Sequence, residues 1–142
     1  MKKIIVMLLV CFTMAACGSS DDDDSAIVAS LDDVTGVWDA NGKYGAEEDE
    51  VNIIIKSDGT LTIFDFDGDT YDQGDDCYDK VINTFTDLGN GNFQMVNDND
   101  SPDNMKITKS GNKLTVVFAD GSDTRILILS SLVETDFVPL CE

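Results

Sequence analysis

Apolar side chains recur at every second position through most of this chain, in short runs. Val51, Ile53 and Ile55 alternate with Asn52, Ile54 and Lys56, and Ile54 gives the second face an apolar position too. That is the period of a β-strand. Ser57-Asp58-Gly59 follows, a hairpin turn, because glycine accepts the positive φ such turns demand. Leu61, Ile63, Phe64 and Phe66 continue as the partner strand. Leu88-Gly89-Asn90-Gly91-Asn92, Ser110-Gly111-Asn112 and Asp120-Gly121 punctuate the remainder. No segment sustains a helical period, and only Pro102 and Pro139 interrupt. Strands are predicted at 36–41, 51–56, 60–66, 80–86, 93–96, 105–109, 113–119 and 124–129. Short strands joined by turns predict an all-β fold, an antiparallel up-and-down meander arranged as a barrel or a β-sandwich. Eight such strands can close into a barrel and remove both sheet edges.

The first thirty residues break this pattern. Lys2 and Lys3 precede an apolar run from Ile4 to Phe12, and Ala15 and Ala16 stand directly before Cys17. A charged start, a short apolar run and a small-residue zone make a cleavable leader, since the run is too short to cross a bilayer. Met14-Ala15-Ala16-Cys17 resembles the lipobox of bacterial lipoproteins, with Met14 its one departure. Cys11 is the other candidate, but Val10 beside it is bulky and its leader would be very short. The resemblance implies a signal peptide over 1–16 and a mature chain beginning at Cys17, acylated on its sulfur and amino group. Two or more acyl chains give durable membrane anchoring. Residues 17–30 are small and acidic, with little to bury before Ile27 and Val28, and read as a flexible tether. Asp21 to Asp24 is on its face a solvated linker. Directly after a lipidated cysteine it also resembles the surface-export signal of Bacteroidetes-type lipoproteins. That resemblance implies the outer membrane, with a folded domain over 31–142 exposed to the medium.

Charge narrows the partners. The chain carries 28 acidic residues against 9 basic ones. Loss of Lys2 and Lys3 with the leader leaves seven basic residues and a balance of −21. Such a charge opposes phosphate backbones and anionic lipid surfaces, so nucleic acid is not an expected partner. Histidine is absent, which excludes Ser-His-Asp and Cys-His nucleophile systems and all His-ligated metal sites. Paired carboxylates remain for acid–base work, but among 28 of them closeness in sequence singles out none. The expectation is a non-enzyme without a cofactor. Two cysteines lie beyond the tether, Cys77 and Cys141. The oxidising compartment implied by the leader pairs them in a disulfide, with two free thiols as the alternative.

At the first predicted strand the chain reads Gly36-Val37-Trp38. A Gly-x-Trp entering an eight-stranded meander resembles the lipocalin signature, most closely the small lipocalin-like domains of Bacteroidetes lipoproteins. The resemblance covers 31–129 as architecture and Gly36, Trp38 and Arg125 as residues. The family's middle motif, an Asp-bearing turn before a tyrosine, has no match. In that family the tryptophan closes one barrel end and an arginine from the last strand packs over its indole. Arg125, the sole arginine, begins the last predicted strand and is expected in that place. The implied function is a barrel binding a small hydrophobic or extended ligand. Against this, strands this short make a small barrel whose interior side chains alone can fill.

Other candidates are weighed against ordinary loop chemistry. Asp65, Asp67 and Asp69 flank Gly68 and offer oxygen ligands for calcium on a backbone that can turn. The glycine falls too early for an EF-hand and no glutamate closes the loop, so exposed solvating charge is the competing reading. Tyr44, Tyr71 and Tyr78 are either an aromatic rim at a barrel mouth or core and hairpin tyrosines. Two functions follow: a surface-anchored ligand-binding barrel, or an interaction protein meeting envelope or host molecules through its loops and acidic surface.

Overall fold

The structure is a computed structural model that describes residues 25–40, 50–68, 76–97, 101–121 and 123–141. The leader, Cys17, the Asp21–Asp24 run, Tyr44, Asp69 and Tyr71 lie outside the described residues.

Nine strands form one antiparallel sheet: β1 (Ile27–Val28), β2 (Gly36–Asp39), β3 (Val51–Ile55), β4 (Thr60–Asp67), β5 (Cys77–Gly89), β6 (Asn92–Val96), β7 (Asp103–Ser110), β8 (Lys113–Phe118) and β9 (Thr124–Leu129). From β2 to β9 each strand pairs with the next in sequence, and β9 returns to pair with β2. That last pairing closes an eight-stranded up-and-down barrel, the architecture implied by the lipocalin resemblance, and removes the sandwich alternative.

The period-two pattern decides which side chains point inward. Ile53 and Ile55 of β3 stand opposite Ile63 and Leu61 of β4 and face the interior. Trp38, Phe93, Ile107 and Leu114 fill the interior from other strands and are 1% exposed or less. Phe85 and Phe93 stack with centroids 4.9 Å apart. The opposite face of β3 and β4 is buried as well, because the chain after β9 folds back across it. Its one turn of 3₁₀ helix (Glu134–Asp136) leads to Phe137, which stacks on Phe64 at 4.6 Å and meets the Tyr78 ring edge-on at 5.5 Å. This second core explains why Ile54 and Phe64, on the outer face, are apolar.

The two barrel ends differ. Tight connections at 56–59, 90–91 and 111–112 make one end, which α1 (Leu31–Val34) covers. The strand ends at Asp39, Val51, Asp67, Cys77, Val96, Asp103, Phe118 and Thr124 lie at the other, the mouth.

The structure corrects the predicted tether. Ile27 and Val28 pair with Lys109 and Thr108 of β7, and Ala29 is buried in the interior core. The folded part therefore begins before residue 30. Here β1 extends the edge of β7 just past the last residue matched by β6, the Lys106 partner Asn92. Gly91 makes this fit possible: with φ at +73° it lies in the left-handed region, and a Cβ there would sit 2.8 Å from the Ile107 carbonyl and from a Val28 methyl.

Cys77 and Cys141 form the expected disulfide, with Cα atoms 5.0 Å apart. It pins the C-terminal segment to the start of β5. The Tyr78 N–H donates to the Pro139 carbonyl at 2.8 Å and the Cys141 N–H to the Tyr78 carbonyl at 3.0 Å.

Candidate functional site: the barrel interior and its mouth

The closed end is built first, from short-range chemistry. The Asp33 carboxylate accepts both the Ser30 N–H, at 2.9 Å, and the Ser30 hydroxyl, at 2.6 Å. Those two bonds hold its carboxyl pKa below the usual carboxylate range. The Asp87 carboxylate accepts the Leu31 N–H at 2.9 Å, and Lys109 Nζ donates to the Asp33 carbonyl at 2.9 Å. So β5 and β7 each hold one end of α1. The Val34 carbonyl accepts the Trp38 indole N–H at 2.7 Å, and both residues are 0% exposed. Gly36, at φ +148°, lets the indole lie close to its backbone. Trp38 is thus buried at this end of the barrel.

Arg125 does not join it. Trp38 pairs with Leu129, four residues further along β9, so Arg125 stands ~13 Å away along the strand. Its guanidinium carbon lies 5.7 Å from the Phe118 ring centroid, and its Nε donates to Asp123 at 3.1 Å. The expected Trp38–Arg125 pair is therefore corrected. Because β9 runs from the mouth to the closed end, its first residues belong to the mouth. At the closed end Lys109 Nζ bonds the Asp33 carbonyl.

Between Trp38 and the mouth lies a cavity of about 80 Å³. Ile55, Leu61 and Phe85 line its depth, while Ile63, Met95 and Phe118 carry it toward the mouth, where Arg125 is the one charged group on its wall among the described residues. Asn83 faces inward too, since it stands directly opposite Leu61 and two residues from Phe85. It is 4% exposed, and its Nδ2 has no hydrogen-bond partner among the described residues. Burying an unpaired amide donor costs about 1–3 kcal/mol. Its place in the run Val81-x-Asn83-x-Phe85, a polar residue in an inward register, was the available sequence signal.

Around the mouth the charge is acidic. Asp39, Glu50, Asp65, Asp79, Asp103 and Asp123 all stand at strand ends or in the long connections there. Asp65 and Asp67 lie on β4, opposite Asp79 and Cys77. Among the described residues no group of three or more such side chains could hold a metal ion. Tyr78 packs outside the barrel, between Phe66 at 5.0 Å and Phe137, rather than on the rim. Burial pushes its phenol above its usual pKa, and the nearby Glu50 carboxylate adds to this.

In comparisons with known proteins, no family model, no curated protein and no solved structure matches this chain.

Proposed function

We propose that this protein is a non-catalytic binding module that takes a small apolar molecule into its barrel through the mouth. The observation that carries the reading is the apolar cavity running from Leu61 and Phe85 up to Phe118 and Arg125. Ligand sites are concave and mainly apolar with a few placed polar groups, and this one has Arg125 on its wall. Its size limits the occupant. An engineered cavity of ~150 Å³ accepts benzene, so about 80 Å³ admits a short chain unless the wall moves. Met95 and Met105 supply unbranched, adaptable side chains there. In this reading the lipidated Cys17 holds the barrel at the outer membrane surface.

Displacement of a polarity-sensitive fluorophore by short-chain alcohols and ketones tests the proposal. Binding that tightens in Met105→Ala, where the cavity is larger, supports it. Failure of every such compound to bind either form removes it. A second reading, docking of another protein, is favoured by the edge of β5. Between Tyr78, bridged to Leu140, and Thr84, paired with Val96, no described strand pairs with this edge. Ile82 there is 60% exposed. Unpaired edges invite strand addition.

A further inference from the structure

We infer that the occupant of the barrel interior is a short alkylammonium ion, its chain in the apolar cavity and its charged end held by a collar of carboxylates just above. The inference rests on the binding reading above and names the ligand class of that same site.

Strand register places the collar. Ile63, Met105 and Arg125 line the cavity, and two positions nearer the mouth from each stands an aspartate: Asp65, Asp103 and Asp123. Two positions along a strand return to the same face, about 7 Å further on. Each carboxylate therefore takes the next inward place above the apolar wall. Asp79 joins them, directly opposite Asp65 across β4 and β5, a like-charged pairing that costs the sheet stability. Asp65, Asp79 and Asp103 are exposed, so water reaches them. Carboxylates gathered at a rim make no site by themselves. These stand over a cavity whose described lining is apolar throughout below Arg125.

Charge selects the head group. An opening lined by one sign of charge concentrates ions of the other sign. Arg125 is the cation on this wall, and its Nε donates to Asp123 at 3.1 Å while its guanidinium carbon lies 5.7 Å from the Phe118 ring centroid. Asp123 thus offsets it, and Asp65, Asp79 and Asp103 leave the opening negative among the described residues. An anionic head is repelled there, and an uncharged head gains nothing from the collar. An ammonium held at the exposed collar stays hydrated, which avoids the cost of burying an ion. Its methylenes meanwhile leave water for the apolar wall. A cavity of about 80 Å³ keeps that chain short.

The test titrates the full chain with hexylammonium, 1-hexanol and hexanoate, each displacing a polarity-sensitive fluorophore from the cavity. Hexylammonium is expected to bind about tenfold more tightly than 1-hexanol, with hexanoate weakest. Sodium chloride at 0.5 M is expected to erase most of that gap, because exposed charges are screened. Asp65→Asn with Asp103→Asn is expected to weaken hexylammonium about fivefold and leave 1-hexanol unchanged. Binding of 1-hexanol or hexanoate as tight as that of hexylammonium overturns this inference and leaves the binding reading standing. So does a gap that neither salt nor the double variant narrows. Methylammonium displacing the fluorophore as well as hexylammonium also overturns it, since the rim then takes cations without the cavity. No displacement by any of the three six-carbon compounds overturns both readings. Should the double variant fail to fold, the salt series on the native chain decides.

Discussion

Trp38 anchors the closed end through one hydrogen bond and complete burial, and each contribution is separable by substitution. Trp38→Phe keeps an aromatic ring but leaves the Val34 carbonyl without its donor. The expected cost is about 2 kcal/mol, combining an orphaned acceptor and a small cavity, read by urea unfolding followed with far-ultraviolet circular dichroism. Arg125→Ala, by contrast, is expected to leave the Trp38 emission maximum unmoved, because the guanidinium lies at the other end of β9. A blue or red shift on that substitution contradicts the assigned register. At this scale the sequence was legible where a residue acts locally. Gly36-x-Trp38 needed only its own strand and the turn before it. Arg125 was misread because standing near the start of the last strand says nothing about which end of the barrel that strand enters. Asn83 occupies a visible inward position, but whether an amide has a partner depends on strands far away in sequence.

Among elements, the segment after β9 is the one the pattern did not announce. Leu132, Val133, Phe137, Val138 and Leu140 follow neither a helical nor an alternating period. Phe137 alone of these is buried, packed on Ile54 and Phe64, and the disulfide pins the segment's end. The apolar Ile54 and Phe64 on the second face of their strands were the sequence trace of that cover. Strand β5 extends from Cys77 to Gly89, past both predicted ends at 80 and 86, and its start is tied to this same segment. Replacing both Cys77 and Cys141 by serine opens a long loop and is expected to cost about 4 kcal/mol in the chain-entropy account. Faster hydrogen exchange at the Tyr78 and Cys141 amides is the measurement that localises the loss.

Glu134 adds a pH-dependent fastening to the same segment. Lys56 bonds it at 2.8 Å and Lys80 at 3.4 Å, which lowers its pKa below the ordinary carboxylate range. A depressed native pKa means stability that is present above the unfolded value and lost as pH falls through the folded one. Glu134→Gln is therefore expected to lower the melting temperature slightly at pH 7, as exposed pairs contribute little. The gap between variant and native protein should close below about pH 4. A gap that persists there assigns the effect to packing.

Over the whole molecule, charge is unevenly placed. The net charge is −19 on 142 residues, and among the described residues Asp39, Glu50, Asp65, Asp79, Asp103 and Asp123 stand at the mouth. Mutual repulsion of those groups opposes folding and is screened by salt within about 10 Å at 0.1 M. Raising sodium chloride from 10 mM to 0.5 M is expected to raise the melting temperature by several degrees. Calcium chloride at matched ionic strength should do no more unless Asp65, Asp67 and Asp69 bind the ion. An excess effect of calcium, abolished by Asp67→Asn with Asp69→Asn, is the result that assigns a site. The fold class was readable because alternation and turn spacing are local. Closure itself was not, because the pairing of β2 with β9 joins opposite ends of the meander.

The two-residue strand β1 also gives the barrel a direction. It runs antiparallel to β7, so going back from Val28 to Ile27 leads toward the closed end, with Asp24 and Cys17 further upstream. With the lipid proposed on Cys17, ten residues, Cys17 to Ala26, precede β1, a span of at most about 35 Å. Lipids with quenching headgroups should then dim a dye at Asn112 more than one at Asp120. The barrel would stand base-down on its leash like a cup on a table, with its acidic lip held away from the bilayer and open to whatever diffuses past.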